Sequence, residues 1–335
     1  MAPRIFLTGG TGYVGGSVLY TLAQTHPEWE ITILLRRPPP TFNELYPNVK
    51  VVLGDYDSGE TLSSAAAQAD IVVHAGDSDH QPSLESIVKG LLQSKERKFL
   101  IHLSGTGVIA DWRDPTFAGR LNPKVWSDVN DIGEITSRPP EELHRHTDKF
   151  LQDTARAHGD KLKIAIICPP DIYGKGHGPG RTQSVYIPGF YNEIKKIGAP
   201  FYTRDGTNTR SFVHIDDLAQ LYLKLVEAAV DGGGQADWGV EGYYFAASQE
   251  HSHLELAKAA GVILQKHGIL EKSDPKEVPL DQIDVMMSHR DFPDLRTYMF
   301  ANSRSRADRA AAKLGYSPHA PDLLETLESD LLACR

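Results

Sequence analysis

Cysteine is scarce: the 335 residues contain two, Cys168 and Cys334. Two positions so far apart leave no disulfide framework and no zinc-ligand spacing, and they point to a reducing compartment. Long apolar runs are missing as well. No stretch approaches the ~20 consecutive apolar residues that a bilayer span requires, so no membrane segment is expected. Basic charge is also short. There are 35 Lys and Arg against 44 Asp and Glu, a net charge of −9, whereas a nucleic-acid-binding surface needs an excess of the opposite sign. The start, MAPRIFLTGG, runs straight into a strand pattern with no leader-like segment before it. A cytoplasmic protein is the expectation. Internal repeats and low-complexity blocks are absent too, which leaves a large domain, or one domain with a smaller lobe.

What is present is alternation. Apolar runs at 4–8, 31–35, 49–53, 70–74, 98–104 and 163–168 read as strands. Helical patterns lie between them, at 12–24, after Pro82 and at 140–158. Strands apolar on both faces and separated by helices imply a parallel sheet covered on both sides, an α/β doubly wound fold of Rossmann type. Beyond Pro169 the pattern loosens into a segment rich in Gly, Pro and aromatics. A helix at 216–229, a strand at 242–247 and a mostly helical tail follow. The helix in SRSRADRAAAKLG ends at Gly315, with Pro318 just beyond. Residues 1–174 with about 210–248 are expected to form the dinucleotide-binding domain. Residues 175–209 with 249–335 are expected to form a smaller substrate-binding lobe.

The first strand runs into LTGGTGYVGG, where Gly9, Gly12 and Gly15 stand three apart. Gly9 permits the tight turn, Gly12 the close approach of a pyrophosphate, and Gly15 close packing of helix on strand. Thr11, Tyr13 and Val14 lie within the same turn. The helix N-terminus that follows offers amides and a partial positive charge to phosphates. Glycine trios also occur in plain turns, but this one sits between a strand and a helix. The second strand ends in Arg36 and Arg37 rather than a carboxylate. A guanidinium matches a 2′-phosphate, so NADP is favoured over NAD. Asp55 and Tyr56, after the third strand, either lie near the adenine or cap a turn.

TGGTGYVGG, DIVVHAG, HLSGTGV, CPPDIYGKG and RSFVHIDDLA resemble, in order, the successive motifs of the extended and atypical short-chain dehydrogenase/reductases, over about residues 4–250. AAKLGYSP near the end is similar to the C-terminal signature of sugar-nucleotide epimerases. The resemblance implies NAD(P) chemistry on a Rossmann-type domain, a small-molecule substrate and a homodimer. It places His74, Ala75 and Gly76 beside the cofactor, and Pro169 to Ile172 beside the nicotinamide amide. Thr106 takes the position of the family's Ser or Thr on the substrate oxygen. Lys149 takes that of the lysine on the nicotinamide ribose. Tyr173 would shape the substrate site and Arg210 would grip a substrate anion. His214 and Asp217 read as structural.

The family's Tyr-x-x-x-Lys is broken. Four residues before Lys149 stands Arg145, in EELHRHTDKF. On a continuous helix Arg145 and His146 share the face of Lys149. Arg145, with a pKa above ~12, releases no proton but suits an anion or a carbonyl. His146 titrates in the right range for proton transfer. Three readings stand open: an exposed polar face, His146 as the proton-carrying group, or an acid from elsewhere or from the substrate. The long loop 110–140 carries Trp112 and Trp126, which either cover a substrate or pack the loop down. Together with the aromatics of 189–191 and 201–202 they suggest a pocket for a hydrophobic or polycyclic molecule. The expected function is an NADP-dependent oxidoreductase or epimerase-like enzyme with an unusual proton donor. The alternatives are an NADP-sensing protein without turnover, and a non-redox isomerase or cyclase.

Overall fold

The computed structural model describes residues 2–283 and 299–335. Seven strands form one wholly parallel sheet: Arg4–Thr8, Glu30–Leu35, Lys50–Leu53, Ile71–His74, Lys98–Leu103, Leu162–Cys168 and Tyr243–Phe245. Numbered first to seventh within this sheet, they lie in the spatial order seventh, sixth, fifth, fourth, first, second, third. The order reverses between the first and fourth strands, the place where open α/β sheets hold their ligands.

Side chains alternate across the sheet and explain its two coats. Ile5 and Leu7 join Ile33, Val73 and Ile167 on one face, beneath Val18 and Leu22 of helix Tyr13–Thr25 and Leu218 and Tyr222 of helix Ile215–Val230. Phe6, Val72, Leu100 and Ile166 face the other way, beneath Leu62, Leu84, Ile87 and Leu151. Each of these buried side chains contributes about 1.5–3 kcal/mol by leaving water. Strand positions and the Gly315 helix stop (φ +58) match the sequence reading. No helix of the described residues is long and apolar enough to cross a membrane.

The smaller part is built on a three-stranded sheet in which Thr209–His214 lies between Gln249–Ser252 and Asp171–Tyr173. Its own core gathers Phe190, Phe201, Phe212, Leu256, Leu264, Leu323 and Leu327. The tail is shared between the two parts. Ala310 and Tyr316, expected in the substrate lobe, pack against the large sheet.

Two expectations fail here. Helix 140–158 starts only at Arg145. Pro139 and Pro140 open a turn instead, in which the Glu142 amide donates to the Pro139 carbonyl, and His144 takes the left-handed conformation (φ 65). The long loop is not a free lid either. Trp126–Ser127 pairs with Ser305–Arg306, Asp111 accepts from the Asn302 amide at 2.7 Å, and Asp128 accepts from the Arg309 amide at 2.9 Å. Trp126 is buried in the core with the Lys124 ammonium 4.4 Å above its ring, so it packs the loop down.

Candidate functional site

A cleft of about 1210 Å³ opens at the carboxyl ends of the first and fourth strands. Gly9, Thr11, Gly12, Tyr13 and Val14 form its floor. Leu34, Arg36, Arg37, Asp55 and Tyr56 bound one end, and Ala75, Gly76 and Asp77 one side. Leu103, Pro170, Asp171, Ile172, Val185 and Tyr186 bound the far end. Gly9 is left-handed (φ +79), and a Cβ there would come within 2.7 Å of Gly76 Cα. Gly12 is the N-cap of helix Tyr13–Thr25, whose first turn holds no acidic residue. Its amides and dipole therefore face the cleft unneutralised, ready for a diphosphate. Gly15 lies outside the lining. A Cβ on it would sit 2.7 Å from the Gly9 carbonyl carbon, so it serves helix packing.

The turn is buttressed from behind by a second glycine-rich segment, 174–181. Gly16 and Gly178 meet backbone to backbone. A Cβ on either would lie 2.8 or 2.6 Å from the other's Cα. The Arg181 amide donates to the Thr11 carbonyl at 2.9 Å, and the Tyr13 hydroxyl donates to the carbonyls of Tyr173 and Gly174. Tyr13 thus reaches the cleft with its hydroxyl already engaged.

Arg36 and Arg37 are exposed at the cleft's end, and no carboxylate follows the second strand. The residues present fit a 2′-phosphorylated dinucleotide. Asp55 both caps a turn and lines the cleft. Its Oδ1 accepts from Ser58 Oγ at 2.7 Å and from the Asp57 amide at 3.1 Å, and the Ser58 bond holds its pKa below the usual carboxylate value. The Tyr56 ring lies across Gly76, filling the space that a side chain there would occupy.

Several expected site residues are elsewhere. His74 lies beneath the floor, wholly buried, with Nε2 3.2 Å from Ser83 Oγ, and burial pushes its pKa down to about 4. Pro169 is replaced in the wall by Pro170, and its carbonyl accepts from the Thr106 amide instead. Thr106 is sealed under Ser303, whose Oγ lies 3.0 Å from its Oγ1. Tyr173 is fully buried and donates to the Pro321 carbonyl at 2.6 Å. The Arg210 guanidinium is held by Asp171 at 2.5 Å and the Ala301 carbonyl at 3.1 Å, so Asp171 rather than Arg210 lines the cleft. Phe190, Tyr191 and Phe201 fill the small lobe's core, so the expected aromatic-lined pocket is not formed by them. His214 caps helix Ile215–Val230, and Asp217 accepts from the amides of His319 and Ala320.

The helix after the long loop shows the largest departure. Its buried side carries Thr147, Asp148, Leu151, Gln152 and Ala155. Lys149 falls on the opposite side, half exposed and 2.5 Å from Asp153, and does not reach the cleft. Arg145 turns its guanidinium away, to the carbonyls of Thr136 and Arg138. His146 places Nε2 3.1 Å from the Asp79 carbonyl. The inward pair is His144 and Asp148. Nδ1 of His144 lies 3.0 Å from the Asp79 carboxylate. Asp148 Oδ2 accepts from Ser104 Oγ at 3.0 Å and the Tyr243 hydroxyl at 2.9 Å. Burial raises the Asp148 pKa to about 6, against the nearby His144 charge. The sequence carries a signal for Asp148 alone. Leu151 and Ala155 mark the buried stripe, and counting back three from Leu151 reaches Asp148, whereas His144 lies outside the helix. Asp77, Asp79, Val185 and Tyr186 carry no such pattern.

Comparison with known proteins adds a family context. Residues 141–240 match a model of the NAD dependent epimerase/dehydratase family, and residues 9–163 match an NAD(P)H-binding model. The chain is 29% identical over 344 residues to the oxidase UcsJ of an Acremonium species, covering 98% of this chain and 96% of that protein. It is 22% identical over 243 residues to a dTDP-glucose 4,6-dehydratase of Mycobacterium tuberculosis, covering 67% and 69%. In structure it is similar to the dTDP-glucose 4,6-dehydratase of Bacillus anthracis in complex with NAD (TM-score 0.68, 14% identity, 99% and 96% covered). It is also similar to the UDP-glucose 4-epimerase of Thermotoga maritima (TM-score 0.65, 16% identity, 98% and 97% covered).

Proposed function

We propose that the chain is a member of the extended short-chain dehydrogenase/reductases, the group of the NAD-dependent epimerases and dehydratases, and that it is an NADP-dependent oxidoreductase or epimerase-like enzyme acting on a carbonyl or hydroxyl of a small molecule. The observation that carries this reading is the cleft itself. It is continuous from the two exposed arginines, across a helix N-terminus with no acidic residue in its first turn, to a wall of Leu103, Ile172 and Tyr186. Arg36 and Arg37 hold the 2′-phosphate, the amides after Gly12 hold the diphosphate, and Ile172 and Leu103 keep water from the reacting end. When bound, the nicotinamide supplies the hydride. The far end mixes Leu103, Val185 and Tyr186 with the carboxylates of Asp77 and Asp171. That lining suits a neutral, hydroxylated or partly apolar molecule better than a phosphorylated one.

Fluorescence titration with NADPH and NADH tests the cofactor reading. Arg36→Ala with Arg37→Ala is expected to weaken NADPH about 10- to 100-fold, by loss of charge-assisted contacts, and to leave NADH almost unchanged. Failure of both nucleotides to bind at millimolar concentration refutes the reading. Tighter binding of NADH refutes the choice of cofactor.

A second reading is a nucleotide-sensing protein without turnover. It is favoured by the outward Lys149 and the sealed Thr106, which leave two of the family's chemical positions out of reach. NADPH oxidation followed at 340 nm with a panel of ketones and quinones separates the two.

A further inference from the structure

Between the ends of the fourth and fifth strands stands one imidazole that neither the family pattern nor the fold requires. His144 is left-handed at φ 65, a conformation that side chains other than glycine seldom adopt. It is held there by the loop 78–79. Nδ1 lies 3.0 and 3.1 Å from the two Asp79 carboxylate oxygens and 3.2 Å from Ser78 Oγ. On its other side the ring packs against a turn that carries glycine at the points of contact. A Cβ on Gly105 would lie 2.9 Å from Nε2, and one on Gly107 3.4 Å from Cδ2.

With Nδ1 engaged by a carboxylate, Nε2 is the nitrogen left to exchange a proton. The side chain is 21% exposed. Both flanks of the ring belong to the cleft's margin: Asp77 lines the cleft one residue before Ser78, and Leu103 lines it two residues before Gly105. The groups facing the ring are Asp77 and Asp79 from the loop, Asp148 from the helix and His102 from the fifth strand. Burial opposes charge on His144. The Asp79 hydrogen bond outweighs it, aided by the charges of Asp79, Asp148 and Asp77, so the pKa stands above the ordinary value. The carboxylates around the ring therefore favour its protonated form.

Taking the cofactor reading above as given, we propose that His144, aimed by Asp79, carries the proton exchanged with the substrate oxygen. Asp79 is the positioning residue and His144 the donor. In reduction, the substrate's carbonyl carbon gains the hydride pair while its oxygen keeps the former π pair and takes the proton from His144 Nε2. The ring is left neutral and refills from solvent. In oxidation, neutral Nε2 accepts the hydroxyl proton as the carbon gives up its hydride to NADP⁺. The dyad would supply the proton that the family's tyrosine supplies, from one residue before the position that spacing from Lys149 selects.

Two measurements test this. The first needs no substrate: the His144 ring pKa is followed by NMR in the unliganded protein. It is expected above the ordinary imidazole value and lower in Asp79→Asn. The second is NADPH oxidation with aromatic ketones and o-quinones. His144→Gln is expected to lower kcat at least about 100-fold with NADPH affinity within about threefold. Asp79→Asn should shift the alkaline limb of the pH profile downward. Lys149→Ala, on the solvent side, should leave kcat unchanged. Full turnover in His144→Gln overturns the proposal, as does a His144 pKa that Asp79→Asn does not move. A wild-type protein that binds NADPH but reduces no member of the panel overturns it as well. Loss of NADPH binding in the wild type would instead sink the cofactor reading on which it rests.

Discussion

Gly178→Ala puts the buttress behind the phosphate-binding turn to a quantitative test. The added methyl would lie 2.6 Å from Gly16 Cα and 2.9 Å from Gly16 C. Carbon atoms rest at about 3.5–4.0 Å, so the two backbones must part by about an ångström. No flexible side chain lies between them to absorb the shift. Overpacking of this kind costs about 1–3 kcal/mol. Parting also strains the bond from the Arg181 amide to the Thr11 carbonyl (2.9 Å) and that from the His177 amide to Ser17 Oγ (3.2 Å), each worth about 0.5–1.5 kcal/mol. The expected loss is about 2–4 kcal/mol, or roughly 3–6 °C in Tm for a chain of this size. NADPH affinity should fall with it, because Thr11 is in the cleft floor. Gly16→Ala forces the same separation from the other side, so the double variant should cost little more than the worse single one. Thermal melts and NADPH titrations of the four proteins give the cycle. Additive losses, or a Gly178→Ala protein with unchanged Tm and affinity, would refute the reasoning.

Asp148→Asn keeps the shape of a buried acid whose pKa stands near 6. The native state holds its proton longer than the unfolded chain does, so this group's contribution weakens as pH rises from about 4 to about 6. The variant should gain on the wild type by up to about 1.4 kcal/mol per pH unit across that window, read by urea melts at both ends. Asp70 behaves oppositely. Its pKa is depressed by Arg4 and Lys98 against the cost of burial, and the Lys98 ammonium 2.9 Å away is itself buried. Its stabilisation is present above the unfolded carboxylate value and is lost as pH falls below it. Asp70→Asn should therefore cost about 2 kcal/mol at pH 7, discounted for partial exposure, and steadily less as pH falls from about 4 towards 2 in the same melts.

The sheet was legible because strands buried on both faces leave continuous apolar runs, as in IVVH and KIAII. The diphosphate end was legible because glycine spacing is a backbone requirement written in one residue type. The reacting end was not. Its geometry depends on where one helix begins, and Pro139 with Pro140 delays that start to Arg145. The start leaves His144 outside the helix, and the inward face lies one residue, about 100°, from the one that Lys149 marks, so Asp148 points in and Lys149 out. Histidine is among the few residue types enriched in left-handed positions, but nothing local marks His144 for one. Thr106 and Arg210 were misplaced for another reason. Their partners, Ser303 and Ala301, lie about 197 and 91 residues away in sequence, and such closures leave no local pattern.

The same late segment sets an order of assembly. Ser303 seals Thr106, Ser305–Arg306 extends Trp126–Ser127, and Arg309 reaches Asp128. Among the described residues, the lining of the nucleotide end of the cleft, by contrast, comes from positions before 187. On the ribosome the adenosine side can therefore mature while the long loop still waits for its anchor. Refolding followed through Trp126 emission should lag behind the recovery of NADPH binding, and equal rates would contradict that sequence of events.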